Sequence, residues 1–549
     1  MIKMSAFSET IMTQKYSHEK ADGLKEDWNN IAYRVPKHVL KAVRAGKDQV
    51  QRTHEIIRDF KFIPGGRYLA ATGRLFHQVN NCFLFRAEDS REGWADLMQK
   101  GTLALMTGGG IGSDYSSVRE EGRPIRKTGG FSTGPLALAQ MLNEAGRFIM
   151  QGGSRRSAIW AGLKWSHPDI MKFITLKNWT PEVRVLKAKD YNFPATMDGT
   201  NISVLLDDEF FEAFDNQKHA LNSLAQSAYW TTVRQMLKTG EPGFSIDLGK
   251  NSNETLRNAC TEITSADDSD VCNLGSINMA RIDSLEEMAE VVELAVAFLL
   301  AGTVYSDVPF SKVDQIRNKN RRLGLGLMGL HEWLLRHGKR YGPDADLQKY
   351  LEIYAQATSL VKPYAKKWDL NNPIKNRAIA PNGTIGILAQ TTTGIEPMLY
   401  TAIKRRYLVG NVWNYQYVID PTAKRLIEDG IPADNIEDAY TLAVTPGGLE
   451  RRLSFQAWVQ EYVDHSISAT VNLPAWGSEM NNDSTVREFG NVLLKYLPKL
   501  RGITFYPDGA RAGQPLNPVP YAEALAHIGE IHEEAGDMCD ISKGGVCGE

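Results

Sequence analysis

Apolar positions recur at helical spacing over roughly the first 60 residues, where Leu24, Trp28, Ile31, Val35, Leu40 and Val43 line one side of otherwise charged segments. Pro64-Gly65-Gly66 breaks that pattern. From there to about residue 515, short apolar runs alternate with longer helical stretches. Ile202-Ser203-Val204-Leu205 and Ile503-Thr504-Phe505-Tyr506 read as strands, whereas Leu136, Leu138, Met141, Leu142, Ala145, Phe148 and Ile149 fall on one helix face. This alternation predicts helices packed around a mostly parallel sheet or barrel. The most apolar stretch, 291–304, contains Glu293 and is short for a bilayer, so a buried helix is expected there. Beyond about residue 530 the chain becomes polar and Gly-containing, and a loose tail is expected.

Composition adds little direction. The 549 residues, 42% hydrophobic and 23% charged, match an average globular protein. A net charge of −2 gives no long-range attraction to nucleic acid or an anionic membrane, although a local phosphate pocket need not show in that total. The first ten residues lack the apolar core of a secretory signal, which points to a cytoplasmic protein with no membrane and no nucleic-acid partner.

The five cysteines, Cys82, Cys260, Cys272, Cys539 and Cys547, change the picture. An odd, sparse set in a long chain is no disulfide framework. There is no CxxC, and His331 and His337 have the wrong spacing for a structural zinc site, so no metal centre is expected. Small core residues are one reading of Cys82, Cys260 and Cys272. The other is chemical. In an extended loop Asn258, Cys260 and Glu262 converge on one side, and a carboxylate beside a thiol suits proton removal next to sulfur chemistry. The tail pair Cys539 and Cys547 is either incidental or a dithiol for exchange.

Glycine-rich loops supply weaker signals. Gly108-Gly109-Gly110-Ile111-Gly112 lacks the Lys and Ser/Thr of a Walker loop. Pro381-Asn382-Gly383-Thr384-Ile385-Gly386 follows an apolar run and could offer N–H groups and a hydroxyl to a phosphate, or be an ordinary turn. Gly152-Gly153-Ser154-Arg155-Arg156-Ser157 is doubly basic and suits either a nucleotide contact or a solvated loop.

In their order along the chain these segments resemble the catalytic chain of ribonucleotide reductases. The matching stretches are Pro64 to Arg67, Cys82 with Asp89-Ser90, Gly108 to Gly112, Gly129 to Gly134, Asn258 to Glu262, Cys272 to Asn278, Pro381 to Gly386 and Gly394 to Pro397. The resemblance implies a ten-stranded α/β barrel with a central finger loop over residues 64–515. It would be preceded by a helical segment, 1–63, without the family's ATP cone, and followed by a tail, 516–549.

By the same resemblance Cys260 carries a thiyl radical, Glu262 takes the 3′-hydroxyl proton, Asn258 holds the sugar, and Cys82 with Cys272 is the reducing dithiol that the Cys539/Cys547 tail regenerates. Asn382, Gly383 and Thr384 would bind substrate phosphates. Asp89, Arg126, Arg155 and Arg156 would bind and relay a dNTP or ATP effector. A homodimer served by thioredoxin or glutaredoxin is implied. Tyr506-Pro507-Asp508-Gly509 resembles the adenosylcobalamin-dependent class, and Phe505-Tyr506 replaces the Tyr-Tyr pair of the subunit-assisted class. The short chain also resembles compact virus-encoded reductases, and the expectation drawn from it is a separate, metal-containing, ferritin-like small subunit as radical source. No cofactor would then be bound here, and Tyr506 would lie on the transfer route. Adenosylcobalamin is the alternative. A catalytically inactive nucleotide-binding homologue of the same barrel is the alternative function.

Overall fold

The computed structural model describes residues 4–126, 128–151, 155–190, 193–249, 253–409, 412–510 and 516–533. Three helices, Ala6–Lys15, Trp28–Lys41 and Lys47–Arg58, precede the first strand, Phe62–Pro64. Trp28, Ile31, Val35 and Leu40 are buried on the second helix, which Asp27 caps by accepting the Asn30 N–H at 2.8 Å. Leu24 lies ahead of that helix and stays exposed, so the apolar face begins one turn later than the spacing suggests.

Five strands, Cys82–Arg86, Gly110–Asp114, Ile159–Lys164, Thr200–Asp207 and Gly243–Asp247, pair in that order, all parallel. Asp270–Asn278 pairs parallel with Leu323–Met328, and Thr470–Leu473 with Gly502–Pro507. The two groups meet antiparallel twice, where the Cys82 strand adjoins the Cys272 strand and where Gly243–Asp247 adjoins Gly502–Pro507. Residues 376–380 supply the missing stave, with Arg377 bridging Leu325 and Ile379 bridging Ile467 in the parallel sense. Nine strands and this segment therefore close a ten-stranded α/β barrel.

Side-chain alternation divides its surfaces. Phe83, Phe85, Ile111, Ile202, Val204, Phe244 and Phe505 point outward into a core shared with the helices Arg91–Met106, Gly134–Arg147 and Asn222–Thr239. A second outer core joins Ile277, Leu323, Leu325 and Leu327 to the N-terminal helices and to Leu285–Tyr305. That last helix has 21 residues and is long and apolar enough to cross a membrane. Yet 72% of its most apolar window is buried inside the protein, as a core helix would be. A hairpin sheet, Ala402–Val409 with Val412–Ile419, stands apart and pairs with Leu516–Pro518 and Ile531–Glu533.

Candidate active site

Between Gly243–Asp247 and the Cys272 strand the chain forms a second hairpin, Leu256–Arg257 paired antiparallel with Thr264–Ser265. Its Leu256 and Ile263 pack inside the barrel against Cys82, Leu84, Cys272, Leu274, Ala378 and Ala380. Glycine makes room for it. A Cβ on Gly112 would stand 1.9 Å from the Arg257 carbonyl oxygen, and one on Gly110 would stand 3.1 Å from Ala259 Cβ. At the hairpin end the Thr261 N–H donates to the Asn258 carbonyl at 3.1 Å, so Ala259 and Cys260 occupy the centre of a tight turn. Thr261 adopts φ 67°, a conformation L-residues resist, and neighbouring bonds hold it. Asn258 Oδ1 accepts the Ile263 N–H at 3.0 Å, and the Glu262 carbonyl accepts the Ser466 N–H at 2.9 Å.

Cys82 and Cys272 are register partners on adjacent antiparallel strands. Directly opposed residues in such a pair have Cα atoms roughly 4.5–5.5 Å apart. That falls inside the window of roughly 4.4–6.8 Å that a disulfide spans, so the two thiols can join with little backbone movement. Asn258 donates its amide to the Cys82 sulfur at 3.0 Å, and the Cys82 thiol reaches Glu262 Oε1 at 3.7 Å. Cys272 directs its thiol to its neighbour's carbonyl, Asn273 O, at 3.3 Å. Burial pushes both thiols well above their usual range, with the nearby carboxylates adding to the effect. Both cysteines are buried, whereas Cys260 keeps some exposed surface.

Glu262 is a buried carboxyl raised toward neutrality. Burial lifts its carboxyl to about 7, although Asn258, its own backbone N–H and Cys82 pull the other way. Its Oε2 is buried and has no hydrogen-bond partner among the described residues. The arrangement is one acceptor held ready, one partly exposed thiol at a turn, and two buried thiols able to oxidise together.

Sequence reasoning missed what anchors the hairpin. Arg322, 3% exposed, donates to Asp270 Oδ2 at 2.6 Å and to Glu254 Oε1 at 2.8 Å. Glu254 also accepts from Thr264 Oγ1 at 2.6 Å and from Lys375. Burial would raise Glu254, but Arg322 and Lys375 outweigh it and hold the carboxyl near 2. His465 Nδ1 accepts the Thr264 N–H at 3.2 Å, and burial beside Lys375, Arg322, Arg501 and Arg257 keeps that imidazole neutral. The only available signal was the charge of Glu254, Asp270 and Arg322 beside barrel segments, which spacing alone does not distinguish from surface charge.

The remaining expected positions are less convergent. Asn382 begins the short helix Gly383–Ala389 with φ 54° and accepts from Ser276 Oγ at 3.1 Å, next to the Cys272 strand. A Cβ on Gly383 would meet nothing within 4 Å. Asp89 pairs with Arg119 at 2.8 Å on the surface, and Arg126 is exposed nearby in sequence. Arg155–Arg156 pairs antiparallel with Met150–Gln151. Tyr506 alternates with outward-facing Phe505, which turns it toward the lumen in register with Asn472. Cys539 and Cys547 lie outside the described residues.

A family model described as ribonucleotide reductase, barrel domain, matches residues 80–236, 224–359 and 375–506. A vitamin B12-dependent ribonucleoside-diphosphate reductase of Mycobacterium tuberculosis is 27% identical over 98% of this chain and 82% of its own length. Its namesake in Thermoplasma acidophilum is 25% identical, over 94% and 72%. A putative adenosylcobalamin-dependent ribonucleoside-triphosphate reductase of Mycobacterium phage D29 is 27% identical, over 66% and 58%. These relatives overturn the expectation of a cofactor-free chain served by a ferritin-like small subunit. The role expected for Tyr506 on a route from that subunit goes with it. The Phe505-Tyr506 departure from the Tyr-Tyr pair was the better guide, and chain length the poorer one.

Proposed function

The chain belongs to the ribonucleotide reductase family and reduces ribonucleotides to deoxyribonucleotides, and on that premise we propose that Cys260 is its radical-bearing residue and Cys82 with Cys272 its reducing pair. The supporting observation is the direct cross-strand register of Cys82 and Cys272 with the Asn258–Glu262 turn hydrogen-bonded onto Cys82.

In this reading the Cys260 thiyl takes the 3′ hydrogen of the ribose, and Glu262, through its free oxygen, accepts the 3′-hydroxyl proton. The 2′ hydroxyl leaves as water after protonation by Cys82, whose thiol lies within reach of Glu262. The two electrons come from Cys82 and Cys272, which end as a disulfide, and Cys260 returns its hydrogen to C3′. The closed barrel excludes water and holds the sugar still. Asn382, Gly383 and Thr384 are assigned to the substrate phosphates, and Asp89, Arg126, Arg155 and Arg156 to a specificity effector. The tail pair Cys539/Cys547 is assigned to regenerating the inner dithiol.

The relatives' names point to adenosylcobalamin, and the residues fit in one respect. Cys260 alone of the three keeps exposed surface, and Asn201, which donates to the Ala259 carbonyl at 3.2 Å beside it, is exposed on a barrel strand. A bulky group can therefore reach this side of the turn. When bound, adenosylcobalamin supplies the one-electron oxidising equivalent that turns the Cys260 thiol into a thiyl. The decisive assay gives the purified chain adenosylcobalamin, a ribonucleotide and a dithiol, with no second protein. Deoxyribonucleotide formation is expected, and its absence under conditions where the cofactor demonstrably binds would defeat the cofactor assignment.

A further inference from the structure

Arg322 occupies an unusual place. It immediately precedes the Leu323–Met328 strand and is almost wholly buried. One nitrogen bonds Asp270, two residues before Cys272 on the same strand. Another bonds Glu254, at the foot of the hairpin that carries Cys260. Asp270 is further held by Ser265 Oγ at 2.7 Å and Asn320 Nδ2 at 2.8 Å, and Ser265 is itself the last residue of the hairpin's return strand. One guanidinium thus spans both legs of the hairpin and the dithiol strand.

A buried arginine between two carboxylates is a poor way to gain stability, because the desolvation of three charges offsets their attraction. It is a good way to fix geometry, since the planar fork admits one arrangement of its two partners. Apolar contacts at the hairpin, chiefly Leu256 and Ile263, resist separation but permit sliding.

We propose that Arg322, through Asp270 and Glu254, is a positioning residue that sets Cys260 relative to the Cys82/Cys272 pair. This rests on the assignment of those three cysteines to radical and dithiol roles. Lys375 and Thr264 hold the second oxygen of Glu254, so that carboxylate cannot swing away from the fork.

The test compares Arg322→Lys, which keeps the charge and loses the fork, with Glu254→Gln, which keeps size and loses the charge; Arg322→Met serves as the severe case. Each full-length variant is first checked by thermal melting, and the conclusion is drawn from those that melt close to the parent. Two readouts follow. Mild oxidation with diamide, without cofactor or substrate, is followed by peptide mapping of disulfides. Among crosslinks within the set Cys82, Cys260 and Cys272, the parent should give almost only Cys82–Cys272, and the variants should gain Cys260–Cys82. With cofactor and ribonucleotide, kcat should fall by about a hundredfold, the scale of an ~1 Å misplacement of a reacting group, with KM little changed. Unaltered crosslink partition and unaltered kcat in stably folded Arg322→Lys and Glu254→Gln would overturn the proposal. If instead the parent itself forms no Cys82–Cys272 disulfide, the dithiol assignment fails first, and the two failures are told apart.

Discussion

Asn258 and Cys82, 176 positions apart, are joined by a 3.0 Å hydrogen bond from amide to sulfur. The same side chain accepts the Ile263 N–H, so one residue both shapes the turn bearing Cys260 and orients a thiol on the facing strand.

Asn258→Ala removes both bonds at once. Turnover should fall by about a hundredfold or more, because the thiol and the turn lose their shared reference. Steady-state deoxyribonucleotide production measures this, and Asn258→Asp should not restore it, since a carboxylate cannot donate to sulfur.

Cys260→Ser should abolish turnover while nucleotide binding, read by calorimetry, stays near the parent value. The hydroxyl fits the same turn, but its O–H bond is too strong for the oxygen to take over the hydrogen-transfer role. Residual steady-state reduction in this variant would count heavily against a radical at position 260.

Glu262 makes a pH prediction with a definite sign. Its carboxyl titrates near 7 in the folded chain and near 4.5 when exposed. Between those values the unfolded chain has released the proton and the native one still holds it, so native stability declines as pH rises through this window. The decline amounts to about 3 kcal/mol by pH 7 and then levels off. Parallel denaturant titrations of the parent and Glu262→Gln from pH 4.5 to 8 should show the variant gaining on the parent by about that amount. Activity runs the other way, because a base must be ionised, and should rise with pH through about 7. Superimposable stability profiles for the two proteins would refute the raised carboxyl.

Gly112→Ala puts a methyl 1.9 Å from the Arg257 carbonyl, which is backbone and cannot yield cheaply. A stability loss of about 3 kcal/mol is expected from this overpacking, together with loss of turnover. Gly46→Ala is the control for lost glycine freedom, since that residue, like Gly112, lies outside the positive-φ region but has nothing within 4 Å of its Cβ. A thermal melt that ranks the two alike would mean that the hairpin does not press on the Gly110–Asp114 strand.

The family and its barrel class were legible in the sequence, the finer architecture only in part. The two-residue spacing of Asn258, Cys260 and Glu262 singled out this segment, but the extended loop expected there is a tight turn with Ala259 and Cys260 at its centre. The buried helix at 291–304 was legible from apolarity alone. The closing stave, 376–380, was not, because its apolar run Ala378-Ile379-Ala380 is too short to read as a strand, and isolated bridges with single hydrogen bonds rather than a continuous ladder tie it in. The Arg322 clamp was also invisible. Its members Glu254, Asp270 and Arg322 are charged residues inside a barrel, a position where pattern reading expects apolar ones. The opposition of Cys82 and Cys272 depends on a pairing across about 190 residues, which only the fold supplies.

A ring of ten staves is wider than its own inward side chains can fill, and here the hairpin from Leu256 to Ser265 plugs the gap. The reactive loop is consequently also interior filling. Shedding it would leave a void flanked by Leu84, Leu274 and Ala378, so a descendant that abandoned catalysis would be constrained to retain the plug and could discard little beyond its sulfur.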